Sequence, residues 1–180
     1  LKDLNFLHVI FQIQFGRTAQ YTENGFDTIE FRISTNPGEP VKALAKVVSG
    51  GELSRIMLAI KTILADRDET ESLIFDEIDT GISGRTAQMV SEKMAQIGRR
   101  HQVLCITHLP QIAAMADQHF EIRKDVVDQD TVTRIHALDE ESSVRELARM
   151  LGGAKITDSV LANAEEMKEL ARVQKNTRLK

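Results

Sequence analysis

The sequence predicts an α/β fold in which parallel core strands are flanked by helices, with antiparallel strands at the N-terminus and an edge hairpin later on. Three observations carry this. Two short apolar runs, Leu73-Ile74-Phe75 and Val103-Leu104-Cys105-Ile106, each stop at polar residues, Asp76-Glu77 and Thr107-His108. Around them lie segments whose apolar residues recur every three or four positions, the spacing of one helix face. The N-terminal stretch alternates with period two, as a half-exposed strand does. Short buried strands alternating with amphipathic helices make a parallel sheet, and ligands gather at the carboxyl ends of its strands.

Taken in order, Val9, Phe11, Ile13 and Phe15 share one face of a first strand. Ile29, Phe31 and Ile33 repeat the pattern after a turn signal at Asn24-Gly25, which implies an antiparallel pair. Loop residues Asn36-Pro37-Gly38-Glu39-Pro40 follow. Ser49-Gly50-Gly51-Glu52 then opens a helix in which Leu53, Ile56, Met57 and Ile60 recur, and which should run to Ala65. The charged run 66–71 leads into the first core strand. A glycine-bearing loop and a helix with Ala87, Val90, Met94 and Ile97 on one face connect it to the second, and Pro110 can open the next helical turn. Runs 120–123 and 131–138 are polar enough for an edge hairpin. Helices over 144–151, stopped by Gly152-Gly153, and over 159–174 complete the chain. The basic ending 175–180 reads as a frayed tail.

Composition narrows the class. An apolar fraction of 42% and a charged fraction of 28% are those of a globular chain. The net charge of −4 supplies no global attraction to nucleic acid. Cys105 is the single cysteine, so no intrachain disulfide can form, which fits a reducing cytoplasm. No run approaches the roughly 20 apolar residues of a membrane helix, and no signal-peptide pattern opens the chain. The reading is of a cytoplasmic chain without a membrane partner.

Three elements carry chemistry. Ser49 to Glu52 has the spacing of a capping box, with Ser49 as N-cap and Glu52 reaching back. Two glycines in the first turn of a helix are costly, each by up to about 1 kcal/mol relative to alanine. They would also expose bare backbone N–H groups at the positive helix end, which a bulky anion can approach. Asp76-Glu77 is either a solvated strand end or a phosphoryl-transfer pair, one carboxylate for Mg²⁺ and its neighbour for the attacking water. His108 ends the second core strand, as a structural residue or as a contact to a common ligand.

In this order the three elements resemble the ABC ATPase superfamily. The resemblance makes Ser49, Gly50, Gly51 and Glu52 the signature motif and residues 73–77 the Walker B strand. Asp79, Thr80, Gly81 and Ser83 fall in the D-loop, and His108 takes the switch-histidine position. Longer strings are similar to the RecN family within it: Ser49-Gly50-Gly51-Glu52-Leu53-Ser54-Arg55-Ile56-Met57, Ile74-Phe75-Asp76-Glu77-Ile78-Asp79-Thr80-Gly81-Ile82-Ser83-Gly84 and Ile106-Thr107-His108-Leu109-Pro110-Gln111. Chromosome-maintenance heads usually carry aspartate where this chain has Ser83. The resemblance spans essentially the whole chain and implies recombinational repair of DNA double-strand breaks.

None of the ten glycines is followed by Lys and then Ser or Thr, so no Gly-x-x-x-x-Gly-Lys-Ser/Thr loop is present to cradle phosphates. Sustained heptads are missing too. The expectation is a single partial domain over 1–180, the C-terminal lobe of a P-loop ABC-type head. Its partners would be the N-terminal Walker A half, a second head in an ATP-dependent homodimer, and DNA at the nucleoid. The implied cofactors are ATP and Mg²⁺, with Asp76 as the metal residue, Glu77 orienting water and His108 sensing the γ-phosphate. The isolated chain should then be inactive.

Other classes remain open on the sequence. A non-hydrolytic module could use ATP only to clamp heads around DNA. A serine hydrolase built on Ser49, His108 and an aspartate lacks the Gly-x-Ser-x-Gly elbow. A metal site from His108, Asp117 and His119 competes with the simpler reading that the last two flank a strand.

Overall fold

The computed structural model describes residues 1–6, 8–47, 49–127, 130–153 and 155–177. It is an α/β arrangement of seven strands and five α-helices among the described residues. Strands β1 (Ile10–Thr22) and β2 (Gly25–Ser34) form an antiparallel hairpin, and the two-residue β3 (Lys42–Ala43) pairs with β2. The register sets Phe11 opposite Ile33, Ile13 opposite Phe31 and Phe15 opposite Ile29, which is the alternation read from the sequence. Thr22 pairs with Gly25, so the turn residues are Glu23-Asn24, one earlier than the expected Asn24-Gly25. Gly25, at φ 90°, supplies the left-handed residue as the chain re-enters the sheet.

Helix α1 (Gly50–Leu64) ends one residue short of the expected Ala65. Strand β4 (Ser72–Phe75) follows, then α2 (Gly84–Ile97) and β5 (Gln102–Cys105). β4 and β5 pair in parallel, Leu73 with Val103 and Phe75 with Cys105, as a strand–helix–strand unit does. Buried Leu73 and Phe75 meet Ile56 and Leu58 of α1 and Ala87, Val90, Met94 and Ile97 of α2 in the main core, closed at its end by Leu4, Phe6 and Ile33. A smaller core joins α3 (Pro110–Ala113), α4 (Glu140–Gly152) and α5 (Asp158–Thr177) through Ala113, Met115, Leu147, Ala148, Ala164 and Ala171. Asp139 caps α4 by accepting the Ser142 N–H at 2.8 Å, and Gly153 ends it at φ 66°.

The parallel strands were expected to be buried on both faces; one face is bare. Ile74 is 70% exposed, and Leu104 and Ile106 beside it are exposed too. Strand side chains alternate across the sheet, and α1 and α2 both lie on the Leu73/Phe75 side, so nothing among the described residues covers the other. The edge hairpin, β6 (His119–Val127) and β7 (Asp130–Leu138), likewise leaves Phe120, Ile122 and Ile135 exposed. So does the β1–β2 face, with Ile13, Phe15 and Ile29 open despite the stacked Phe11–Phe31 pair. The basic ending departs from the expected frayed tail: Lys175 lies within α5 and binds Asp117 at 2.7 Å, while residues 178–180 lie outside the described residues.

Candidate functional site

The site forms where the N-terminus of α1 meets the carboxyl ends of β4 and β5. Ser49 is the N-cap of α1, its Oγ accepting the Glu52 N–H at 3.4 Å. That is half of the expected capping box; the return bond from Glu52 is not found among the described residues. Gly50 and Gly51 follow as the first two helical residues.

The loop after β4 is folded onto this helix start. Glu77 has φ 56°, a left-handed conformation that a non-glycine residue rarely adopts. The kink turns the loop back, and the Glu77 carbonyl accepts the Thr80 N–H at 3.0 Å. Gly51 is buried against this turn: a Cβ there would sit 2.9 Å from the Glu77 carbonyl oxygen and 3.0 Å from Thr80 Cβ. The Glu77 carboxylate itself leans over Gly50. Gly51 thus has a packing reason inside this chain, in addition to the anion-facing reason read from the sequence, whereas Gly50 meets only the movable end of the Glu77 side chain.

Two side chains of α1 hold the loop. Ser54 Oγ donates to the Asp76 carbonyl at 2.9 Å. Arg55, buried, donates through Nη1 to the carbonyls of Ile78 at 3.2 Å and Thr80 at 2.8 Å, and its guanidinium lies 5.7 Å from the Phe6 ring centre. Burial lowers the Arg55 pKa, an effect opposed by Glu52. Both residues fall in the 49–57 string, but no motif pattern gives them a role. The periodicity gave no signal for them: Arg55 lies off the face of Leu53, Ile56, Met57 and Ile60, and the structure buries it beside Gly51 and Leu58 while Met57 stays exposed.

Asp76 is exposed, and its Oδ1 accepts the Glu77 N–H at 2.8 Å. Asp79 is buried and binds the end of β5: Oδ2 accepts from Thr107 Oγ1 at 2.6 Å and the His108 N–H at 2.9 Å, and lies 3.0 Å from His108 Nδ1. The His108 side chain is otherwise open, 73% exposed. Gly81, at φ 74°, continues the turn, and Ser83 stands at the N-cap of α2 in extended backbone. Cys105 lies behind the acidic edge, its thiol pushed up to about 12 by burial and by Asp79 and Asp76.

The residues of the three motifs therefore lie around the α1 N-terminus and the ends of β4 and β5, and two direct links, Glu77 to Gly50 and Asp79 to His108, tie the motifs together. The alternative metal group does not assemble: Asp117 binds Lys175 and His119 binds Ser143 at 2.9 Å. No group of three or more potential ligands is found among the described residues. Mg²⁺ needs no such cage, because it takes one or two carboxylates with phosphate oxygens and keeps several waters. Asp76, exposed at a rigid strand end, fits that requirement.

Comparison places this arrangement in a class. The fold is similar to that of part of an Smc head domain. The Smc head domain with coiled coil and joint from Pyrococcus yayanosii superposes with a TM-score of 0.57 at 21% identity, over 81% of this chain and 27% of that one. No protein-family model matches the chain.

Sequence comparison is more particular. DNA repair protein RecN of Halalkalibacterium halodurans is 52% identical over 165 residues, covering 89% of this chain and 29% of the relative. RecN of Bacillus subtilis is 50% identical over 162 residues, 90% of this chain and 28% of the relative. The chain is RecN-like in sequence, matching the C-terminal part of these proteins and spanning less than a third of their length.

Proposed function

We propose that this chain supplies the signature and Walker B half of an ATP-hydrolysing head acting in DNA double-strand-break repair. The observation that carries the reading is the placement of Asp76-Glu77 and His108 at the adjacent ends of β4 and β5, joined through Asp79, in a fold shared with SMC heads. In this reading 1–180 is a partial domain, completed by an N-terminal half bearing the phosphate-gripping loop. The bare face at Ile74, Leu104 and Ile106 supports it, since a sheet of this kind is ordinarily covered on both sides.

The chemistry follows from the residues. Water attacks the γ-phosphorus and the bond to the β-phosphate oxygen breaks, giving ADP and phosphate. Glu77 accepts a hydrogen bond from that water and orients it; Asp76 holds Mg²⁺, which when bound offsets charge on the phosphate oxygens. His108 contacts the γ-phosphate. Ser49, Gly50 and Gly51, with Glu52 completing the helix cap, present the positive end of α1 to ATP held by a second head, so that ATP bridges two copies and hydrolysis releases them. Thr80, Gly81 and Ser83 face the same junction. The complete protein would work in the cytoplasm on DNA at the nucleoid; no helix among the described residues is long and apolar enough to cross a membrane.

The deciding experiment joins the chain to the N-terminal half of its own protein and follows phosphate release with and without DNA. The expected result is turnover in the joined head, little in the chain alone, and an ATP-bound dimer trapped by Glu77→Gln. Equal turnover by wild type and Glu77→Gln would remove Glu77 from catalysis. ATP-dependent dimerisation without phosphate release would favour a clamp that does not hydrolyse.

A further inference from the structure

Ser54 donates its hydroxyl proton to a carbonyl 22 positions away, that of Asp76, at 2.9 Å. A serine inside a helix has a nearer acceptor, the carbonyl one turn back in its own helix, so a hydroxyl aimed at another element serves to fix that element. We infer that Ser54 is the positioning residue for Glu77; the catalytic consequence rests on the hydrolase reading above.

The peptide unit between Asp76 and Glu77 is planar, so its carbonyl and its N–H turn together. Ser54 holds the carbonyl, and the Asp76 carboxylate accepts the N–H through Oδ1 at 2.8 Å. The plane is thus pinned from both sides. Its tilt sets the direction from which the chain enters Glu77, whose φ of 56° is strained for a residue with a Cβ. Such a conformation persists only where its surroundings hold it. Without the Ser54 hydroxyl this peptide can rotate and let Glu77 relax to negative φ, which carries its carboxylate to a different place.

The rest of the loop has other anchors. Arg55 binds the carbonyls of Ile78 and Thr80, and the Glu77 carbonyl lies against Gly51 and accepts the Thr80 N–H. Arg55 and Gly51 therefore hold the chain from Glu77 onward, while Ser54 acts on the peptide before it. Removing the Ser54 hydroxyl frees one peptide and leaves the loop beyond it fastened to α1, so the effect is local.

The test uses the joined head, with this chain labelled with ¹³C and ¹⁵N and its N-terminal half unlabelled. A left-handed residue brings its own amide proton and Hα close together, so Glu77 should give a strong intraresidue NOE in wild type. Ser54→Ala should weaken it to that of ordinary residues, and Ser54→Thr, which keeps the hydroxyl, should restore it. An NOE unchanged in Ser54→Ala overturns the assignment.

Turnover gives the second reading. Ser54→Ala should lower kcat by about 10- to 100-fold with a smaller change in KM, since ATP still binds while the reacting groups are misplaced. Ser54→Thr should recover most of it. In a Glu77→Gln background Ser54→Ala should cost little more, because both changes act through one carboxylate. Wild-type turnover in Ser54→Ala, or an equally large loss in Ser54→Thr, would overturn the positioning role. A wild-type head that does not hydrolyse ATP, with the Glu77 kink still dependent on Ser54, would instead remove the hydrolase reading and leave the backbone assignment standing.

Discussion

The Glu77 carboxylate lies over the backbone of Gly50, and a Cβ added at Gly50 would overlap Oε2. The signature glycine and the catalytic carboxylate proposed for hydrolysis are thus neighbours within one chain. Gly51, one residue on, meets backbone instead of a side-chain tip.

That difference separates the two glycines experimentally. In Gly50→Ala the flexible Glu77 side chain can swing aside, so stability should stay within about 1 kcal/mol of wild type, helped by the better helix propensity of alanine. Gly51→Ala drives a methyl into the Glu77–Thr80 turn and should cost about 1–3 kcal/mol. Urea unfolding of the two variants measures this; equal effects would show that the turn is not packed on Gly51.

Arg55→Met should lose about 2–4 kcal/mol, because buried carbonyls of Ile78 and Thr80 lose a charged donor. Arg55→Lys should recover only part of it, since the shorter lysine must bring one ammonium to the two carbonyls that Arg55 Nη1 binds. Full recovery by lysine, read from the urea midpoint, would reduce the role of Arg55 to its charge.

Ile74→Thr changes a side chain that is 70% exposed, and should shift the stability of the chain alone by no more than about 0.5 kcal/mol. Assembly with the N-terminal half should weaken by about 1–3 kcal/mol if that half covers the face. Titration calorimetry with wild type and variant reads the difference, and unchanged affinity would place the contact elsewhere.

His119 predicts a pH effect. Burial, then Lys168, lowers its pKa, while Glu146 and Glu121 oppose the shift. Its Nδ1 meets Ser143 Oγ at 2.9 Å, and Lys168 Nζ donates to the same oxygen at 2.6 Å, which leaves the serine proton for His119. A neutral ring is therefore favoured in the folded chain, and the unfolded chain binds more protons. Stability should be fully present above about pH 6.5 and fall as pH drops through the lowered folded value. His119→Gln should flatten that part of the profile of Tm against pH; a slope unchanged by the substitution would assign it to other groups.

The strand alternation at Phe11, Ile13 and Phe15, the helical spacing at Ala87, Val90, Met94 and Ile97, and the two strand ends at Glu77 and His108 were all legible in the sequence. Each is set by a local period or by a polar stop, which neighbouring residues suffice to reveal. The order of the three motifs was also written there. What only the tertiary structure decided is how they meet. The left-handed Glu77, the burial of Gly51 beneath its turn, the grip of Arg55 and the Asp79–His108 link join residues 23 to 29 positions apart or depend on such contacts. Periodicity within a segment carries no information about them. The bare face at Ile74 was hidden for the same reason: an apolar residue in a short strand reads as core whether or not anything packs against it.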